Sequence, residues 1–276
     1  MTIQFTKMTG AGNDFVVIDN RSGRITKGSI LARKLCDRRW GIGADGLLLL
    51  EKSTRGAYRM MYYNADGSYG GMCGNGGRCI ALYAVKKRIA PKNHSFEALN
   101  HIYQVSVASP ERVSLRMKDP FDLRLNFMLP FQGKRVKASY VNTGSPHVVI
   151  PVRALGIRGL KIESVDVTGL GREIRYHKAF QPSGTNVNFI ELVSSKRLKI
   201  RTYERGVESE TLACGTGSVA SAIIASRLFH KMKPPITILP KSRSPLIVDF
   251  DLKGDLPENV TLQGPAKIVF EGKAVL

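Results

Sequence analysis

Acidic side chains are scarce in this sequence. Asp and Glu number 22 against 42 Lys and Arg, a net charge of +20 over 276 residues. The excess is scattered through Arg38-Arg39, Lys86-Lys87-Arg88, Lys196 to Arg201, Lys241 and Arg243. No zinc-finger spacing and no RNA-binding aromatic signature goes with it, so the charge reads as a solvated basic surface and no nucleic-acid partner is expected. A basic nucleic-acid-binding protein remains the alternative from another class. Long apolar runs are also missing. Leu47 to Leu50 is typical of the cleanest ones, far below the roughly 20 residues a spanning helix needs, and no membrane partner is expected. Met1-Thr2-Ile3-Gln4-Phe5 reads as a strand, without the basic-then-apolar layout of a secretion signal. A cytoplasmic protein with reduced thiols is the expectation for the four cysteines at 36, 73, 79 and 214. There is no Walker A pattern and no dinucleotide fingerprint after a strand, and no cofactor is expected. No close-spaced pair of Cys or His supports a metal, although Cys73, Cys214 and His147 leave a zinc site open.

The chain has an ordinary apolar fraction of 43%, enough for a packed core. Strands are expected over Ile3 to Lys7 and Phe15 to Asp19, with Gly10-Ala11-Gly12-Asn13 turning between them. Helical spacing over Ser29 to Arg38 puts Ile30, Leu31, Leu35 and Cys36 on one side. Further strands are expected at Leu47 to Glu51, Arg59 to Tyr63, Val148 to Ile150, into Ile190, and Leu198 to Tyr203. The tail from Ile236 reads as short strands with turns at Lys253-Gly254-Asp255 and Gln263-Gly264-Pro265. Two helix-like runs have matching starts: Cys73-Gly74-Asn75-Gly76, continuing to about Arg88, and Cys214-Gly215-Thr216-Gly217, continuing to His230 before Pro234-Pro235.

These pieces recur in the same order. Gly12 and Phe15 to Ile18 correspond to Gly144 and His147 to Ile150, Gly43 to Leu49 to Gly184 to Ile190, Arg59 to Asn64 to Lys199 to Glu204, and Cys73 to Cys214. The order predicts an internal duplication into two similar α+β domains related by a pseudo-two-fold, with equivalent loops facing each other. Residues 1–119 would form the first domain, completed by a strand from 266–276, and 120–265 the second.

A thiol at a helix start lies beside unpaired backbone N–H groups and the positive dipole end, which favour thiolate and can hold an anion. Two such thiols suit inversion of a carbon centre, where one removes a proton and the other returns one to the opposite face. The amides of Gly74, Asn75, Gly215 and Thr216 would hold a carboxylate and its developing charge. Cys36 and Cys79 are simplest as core residues. His147, after Gly144-Ser145-Pro146, reads as a site residue or a satisfied core histidine. Glu204 and Arg205 read as a substrate contact or a surface pair. A Cys73–Cys214 disulfide would be an oxidised, inactive form.

The chain resembles the diaminopimelate epimerase family. The resemblance is carried in order by Gly10-Ala11-Gly12-Asn13-Asp14-Phe15, Gly41 to Gly46, Asn64 to Ser68, Met72 to Cys79, Gly144 to His147, Thr185 to Phe189, and Tyr203 to Gly206 through Ala213 to Gly217. It implies an α+β fold of two domains, each a curved, mostly antiparallel sheet around a central helix. It also implies a cofactor-independent isomerase that converts LL-2,6-diaminopimelate to the meso form in lysine and peptidoglycan precursor biosynthesis, working as a homodimer on a small amino acid. Cys73 and Cys214 match the acid/base pair, and His147 and Glu204 match residues that tune the thiols. Asn13, Gly46, Asn64, Gly74, Asn75, Ser145, Asn186, Glu204, Arg205, Gly215 and Thr216 match substrate-binding positions. Gly46 stands where some members carry glutamine, and Ser145 where many carry asparagine. A racemase of another amino acid, such as histidine, is the alternative within the fold.

Overall fold

A continuous run such as Leu47 to Leu50 makes a strand only if both faces of its sheet are covered. The computed structural model, which describes residues 2–252, 254 and 256–275, covers them with helices. The chain divides into two units, Met1–Arg116 with Gln263–Leu276, and Met117–Leu262.

The first unit contains β1 (Thr2–Gly10), β2 (Asn13–Asp19), α1 (Gly28–Cys36), β3 (Gly46–Glu51), β4 (Arg59–Asn64), α2 (Gly74–Lys86), β5 (Asn93–Ala98), β6 (His101–Ser109) and β7 (Arg112–Arg116). The second contains β8 (Phe121–Phe131), β9 (Lys134–Asn142), β10 (Pro146–Pro151), α3 (Val167–Arg175), β11 (Asn186–Ser194), β12 (Arg197–Glu204), β13 (Ser209–Thr211), α4 (Gly215–Leu228), β14 (Ile236–Leu239), β15 (Leu246–Asp251) and β16 (Glu258–Gly264), the last running on past the boundary. β17 (Lys267–Val275) then pairs antiparallel with β1 of the first unit.

In the first unit β2 and β3 are parallel, β3 and β4 antiparallel, and β4 meets β5 in parallel. The second unit repeats this order: β10 and β11 parallel, β11 and β12 antiparallel, β12 and β14 parallel. The duplication expected from the sequence is therefore present as topology. The pairs β1–β2, β5–β6, β6–β7, β8–β9 and β9–β10 are antiparallel.

In each unit two helices pack against the strands. α1 packs on β3 and joins Leu31 and Leu35 to Val16, Ile18, Leu47 and Leu49 in one cluster. α2 packs against β1, β2, β3, β4, β6, β7 and β17, so it is surrounded by strands. In the second unit α3 lies on β11 and β12, where Ile174 joins Val187, Phe189 and Tyr203. α4 packs against β9 to β12, β14 and β15. Ten successive α4 residues, Gly217 to Ser226, are buried. A helix apolar on every side is the kind a sheet can wrap.

One sequence expectation needs correction. Ile30 is 55% exposed, because the buried side of α1 is Gly28, Leu31, Ala32, Leu35 and Cys36. α4 has ended before Pro234-Pro235, as expected, and stops at Leu228 rather than His230, with Phe229 already extended. α3 was not anticipated; Asp166 caps it by accepting from Gly169 N at 2.9 Å, and Val167 and Ile174 are its buried apolar positions. The expected turn at Lys253-Gly254-Asp255 lies outside the described residues. Among the described residues, no helix is long and apolar enough to cross a membrane.

Candidate active site

Cys73 is the N-cap of α2. Its backbone is extended (φ −118°, ψ 122°), and its Sγ accepts the Gly76 N–H at 3.5 Å. The Gly77 N–H reaches the Cys73 carbonyl at 2.7 Å, which closes the first turn. Sulfur thus stands where Ser, Thr or Asp usually caps a helix. The thiol is half-buried.

Beneath this turn lies a chain of polar side chains. The Asn75 amide donates to Asn13 Oδ1 at 2.6 Å, and Asn13 donates to Asp45 Oδ2 at 2.9 Å. Asp45 and Asp14 share Arg38, each at 2.8 Å, and Asp14 also pairs with Lys7 at 2.8 Å. Lys7 donates to the Gly43 carbonyl as well. Burial would raise the Asp14 carboxyl, but the hydrogen bonds from Arg38 and Lys7 outweigh it and bring Asp14 down to about 2. On the other side, Arg78 donates to Asn75 Oδ1 at 2.6 Å and to the Gly74 carbonyl at 3.2 Å. Its side chain is fully buried, and burial pulls the guanidinium down to about 10. Among the described residues no carboxylate pairs with it, and its Nε is buried without a partner.

Gly46 opens β3, opposite Asn64 on β4. A Cβ at position 46 would lie 2.5 Å from the Tyr62 ring and 2.6 Å from the Tyr63 carbonyl. The ring therefore occupies the space a side chain at 46 would need. Tyr62 and Asn64 share a strand face, and the phenol donates to Asn64 Oδ1 at 2.7 Å while Asn64 donates to Ser68 Oγ at 2.9 Å. Asn64 is thus clamped at both ends of its amide.

Cys214 caps α4 in the same way (φ −107°, ψ 117°), with Gly217 N–H on its Sγ at 3.4 Å. This thiol is 6% exposed. The Thr216 hydroxyl lies 3.5 Å from the sulfur and 2.9 Å from His147 Nε2. Glu204, at the end of β12, hydrogen-bonds Cys214 and accepts from Thr211 Oγ1 at 2.9 Å. Burial raises its carboxyl, so the group stands readier to take a proton than a surface glutamate. His147 is fully enclosed, and burial, with a smaller contribution from Arg205, holds its imidazole down to about 3. It is neutral at physiological pH.

Asn186 sits at the start of β11, opposite His147 on β10. It donates to Ser145 Oγ at 2.9 Å and to the Pro146 carbonyl at 2.8 Å, and its Oδ1 accepts the Arg205 N–H at 2.9 Å. Arg205 Nη1 reaches the Ser183 carbonyl at 3.0 Å. Within the second unit, Ser145, Asn186 and Arg205 form one connected group, and His147, Thr216, Cys214 and Glu204 another. Within the first, Asn13 and Asn75 are bonded, with Cys73 and Gly74 in the same turn, while Gly46 and Asn64 are sheet neighbours. A helix start leaves first-turn amides without an intrahelical acceptor, and such amides can hold an anion.

Three residues that hold these groups were not singled out from the sequence: Arg78, Tyr62 and Asn188. Asn188 donates to the Val148 carbonyl at 3.0 Å and lies 3.1 Å from His147 Nδ1. Its signal was available, since it is a polar residue set among Val187, Phe189 and Ile190 in a buried strand. Arg78 lay within the Met72 to Cys79 segment but had no role assigned to it. Among the described residues, no three His, Cys, Asp or Glu side chains converge as a metal site.

The family model described as diaminopimelate epimerase matches residues 5–120 and 139–269. A diaminopimelate epimerase from Chlorobaculum tepidum is 43% identical over 271 residues, covering 98% of this chain and 100% of that protein. One from Aquifex aeolicus is 39% identical, covering 98% and 97% respectively. Among solved structures, a phenazine biosynthesis protein of the PhzF family from Bacillus anthracis superposes with a TM-score of 0.73 at 15% identity, with full coverage of both chains. A probable proline racemase from Agrobacterium radiobacter K84 gives 0.72 at 16%, covering 99% and 93%. At such identities these structures speak for the fold alone.

Proposed function

The chain belongs to the diaminopimelate epimerase family, and from that premise we infer that it is an isomerase converting LL-2,6-diaminopimelate to the meso form, in the making of lysine and peptidoglycan precursors. The observation that carries this reading is the repeated cap: each unit sets one thiol at a helix start, under a backbone N–H. Epimerisation needs a base for one face of the α-carbon and an acid for the other, because a single base tends to return the proton where it found it. Cys73 and Cys214 take these two roles and exchange them when the reaction runs backwards.

The helix-start amides of Gly74, Asn75, Gly215 and Thr216 hold the substrate carboxylate and the charge that grows on it as the α-proton leaves. Asn13, Gly46, Asn64, Ser145, Asn186, Glu204 and Arg205 complete the binding set. Glu204 takes the Cys214 proton when that thiol must act as base, and its raised carboxyl suits it to the task. His147, neutral and enclosed, acts as a hydrogen-bond group rather than a proton carrier. No cofactor is required, since the thiols and amides supply both the proton transfer and the stabilisation. We read the enzyme as a cytoplasmic homodimer.

Incubation with LL-diaminopimelate in deuterated water tests this. Meso product should appear with deuterium at one α-carbon, and Cys73→Ala and Cys214→Ala should each lower turnover by about 10²-fold or more. Either variant running at the parent rate overturns the two-thiol assignment. Histidine, proline and glutamate in parallel test the alternative that Gly46 and Ser145 shape the pocket for another amino acid.

A further inference from the structure

The polar groups around His147 have only one consistent arrangement of hydrogens. Asn188 is fully buried on β11, two residues beyond Asn186 and so on the same strand face. Its amide nitrogen lies 3.0 Å from the Val148 carbonyl, and a carbonyl can only accept. Its amide oxygen accepts from Thr202 Oγ1 at 3.0 Å. A flipped amide would set two oxygens against each other at Val148, so the orientation is determined by its neighbours. The second hydrogen of the same nitrogen then points at His147 Nδ1, 3.1 Å away.

A ring nitrogen that receives a hydrogen bond carries no hydrogen. The neutral imidazole must therefore keep its proton on Nε2, which lies 2.9 Å from Thr216 Oγ1. Once Thr216 accepts there, its own hydrogen is free to turn to the Cys214 sulfur, 3.5 Å away. We propose that Asn188 is a positioning residue for the reaction: by accepting no proton from His147 and donating to its Nδ1, it turns the Thr216 hydroxyl to donate to Cys214.

The consequence is a one-way chain of donors, Asn188 to His147 to Thr216 to Cys214. It adds a second donor to the sulfur beside the Gly217 N–H and favours the thiolate. It also denies His147 any role as a base toward Cys214, since its only free lone pair is occupied by Asn188. The charged groups bordering this chain are Glu204, from β12, which receives rather than supplies hydrogen at the sulfur, and Arg205, whose charge disfavours protonation of the imidazole. Helix α4 contributes only Thr216 and backbone. The seat of Asn188 depends on Gly217, where a Cβ would come within 2.4 Å of Asn188 Oδ1.

The proposal deepens the epimerase reading but is read without turnover. Nitrogen-15 NMR of the resting enzyme labelled at histidine should show His147 with a bare Nδ1 and a protonated Nε2; a proton on Nδ1 overturns the proposal. Asn188→Asp offers Nδ1 an acceptor instead, reverses the tautomer and draws the Thr216 hydrogen away from sulfur. In that variant, alkylation of Cys214 by iodoacetamide at pH 7.5, mapped by mass spectrometry, should slow about tenfold, while alkylation of Cys73 stays unchanged and reports an intact first unit. With diaminopimelate, kcat should fall more than KM. A folded Asn188→Asp protein whose Cys214 reacts at the parent rate refutes the donor chain. Should that variant not fold, the NMR result on the parent protein decides alone. Loss of diaminopimelate turnover in the parent protein would instead count against the epimerase assignment, leaving the tautomer measurement intact.

Discussion

Replacing Arg78 by methionine asks what a fully buried guanidinium is for. Its shift down to about 10 corresponds to about 3 kcal/mol held against folding at neutral pH. The sign follows from linkage: a cation whose folded value lies below its unfolded one opposes folding at every pH below about 10, and is relieved only above it. Methionine fills similar space without charge and removes this cost. What it takes away are the bonds to Asn75 Oδ1 at 2.6 Å and the Gly74 carbonyl at 3.2 Å. Leaving such an acceptor unpaired costs about 1–3 kcal/mol. The two effects nearly cancel, so Arg78→Met should stay within about 2 kcal/mol of the parent, whereas Arg78→Ala adds a cavity and loses a further 2–4 kcal/mol or about that. Native-state hydrogen exchange of the α2 amides measures both in the same unit. Function should respond differently: with Asn75 held from one side only, KM rises several-fold in Arg78→Met while kcat changes less. A methionine variant that loses more than about 4 kcal/mol would mean that the guanidinium stabilises the fold on balance, and the cost assigned to its burial would be wrong.

Two further outcomes are expected. His147 is held down to about 3 when folded against about 6.5 when unfolded, so below pH 6.5 the unfolded chain takes a proton that the folded chain refuses. Stability of the second unit should then fall by about 1.4 kcal/mol per pH unit as pH drops towards 3, and His147→Gln should flatten that slope in urea titrations; an unchanged slope removes His147 as the titrating group. Gly46→Ala puts a carbon 2.5 Å from the Tyr62 ring and 2.6 Å from the Tyr63 carbonyl. The ring can swing but the backbone cannot, so a loss of about 1–3 kcal/mol is expected, with a raised KM as the phenol leaves Asn64. A variant melting with the parent would show that the close packing at Gly46 is not real.

Much of the site could be read from short segments because its chemistry is local. A cysteine before glycines at a helix start needs only the first helical turn to place an N–H on sulfur, and Gly76 and Gly217 do this for Cys73 and Cys214. The duplicated order of strands was also legible, since each piece carries its own periodicity. Ile30 was misjudged because spacing alone does not say where the inward arc of a helix ends. α3 was overlooked although Val167, Leu170 and Ile174 recur at helical spacing and Asp166 stands as a cap, because the helix is short and interrupted by Gly169 and Gly171.

The sequence alone determined the fold class, the repeat and the two thiols, each written in residues adjacent along the chain. Tertiary structure decided what surrounds them, and those partners come from distant strands. Asn188 meets His147 only because β10 and β11 run parallel in register, and Arg78, three residues from Asn75 on α2, is buried only because strands surround that helix. Burial and hydrogen-bond direction are properties of that packing, so the neutral histidine, the raised Glu204 and the uncompensated Arg78 charge became visible only once the chain was folded. The repeated Cys-Gly turn marks the two thiols, and the packing around each turn sets which hydrogen bonds reach them.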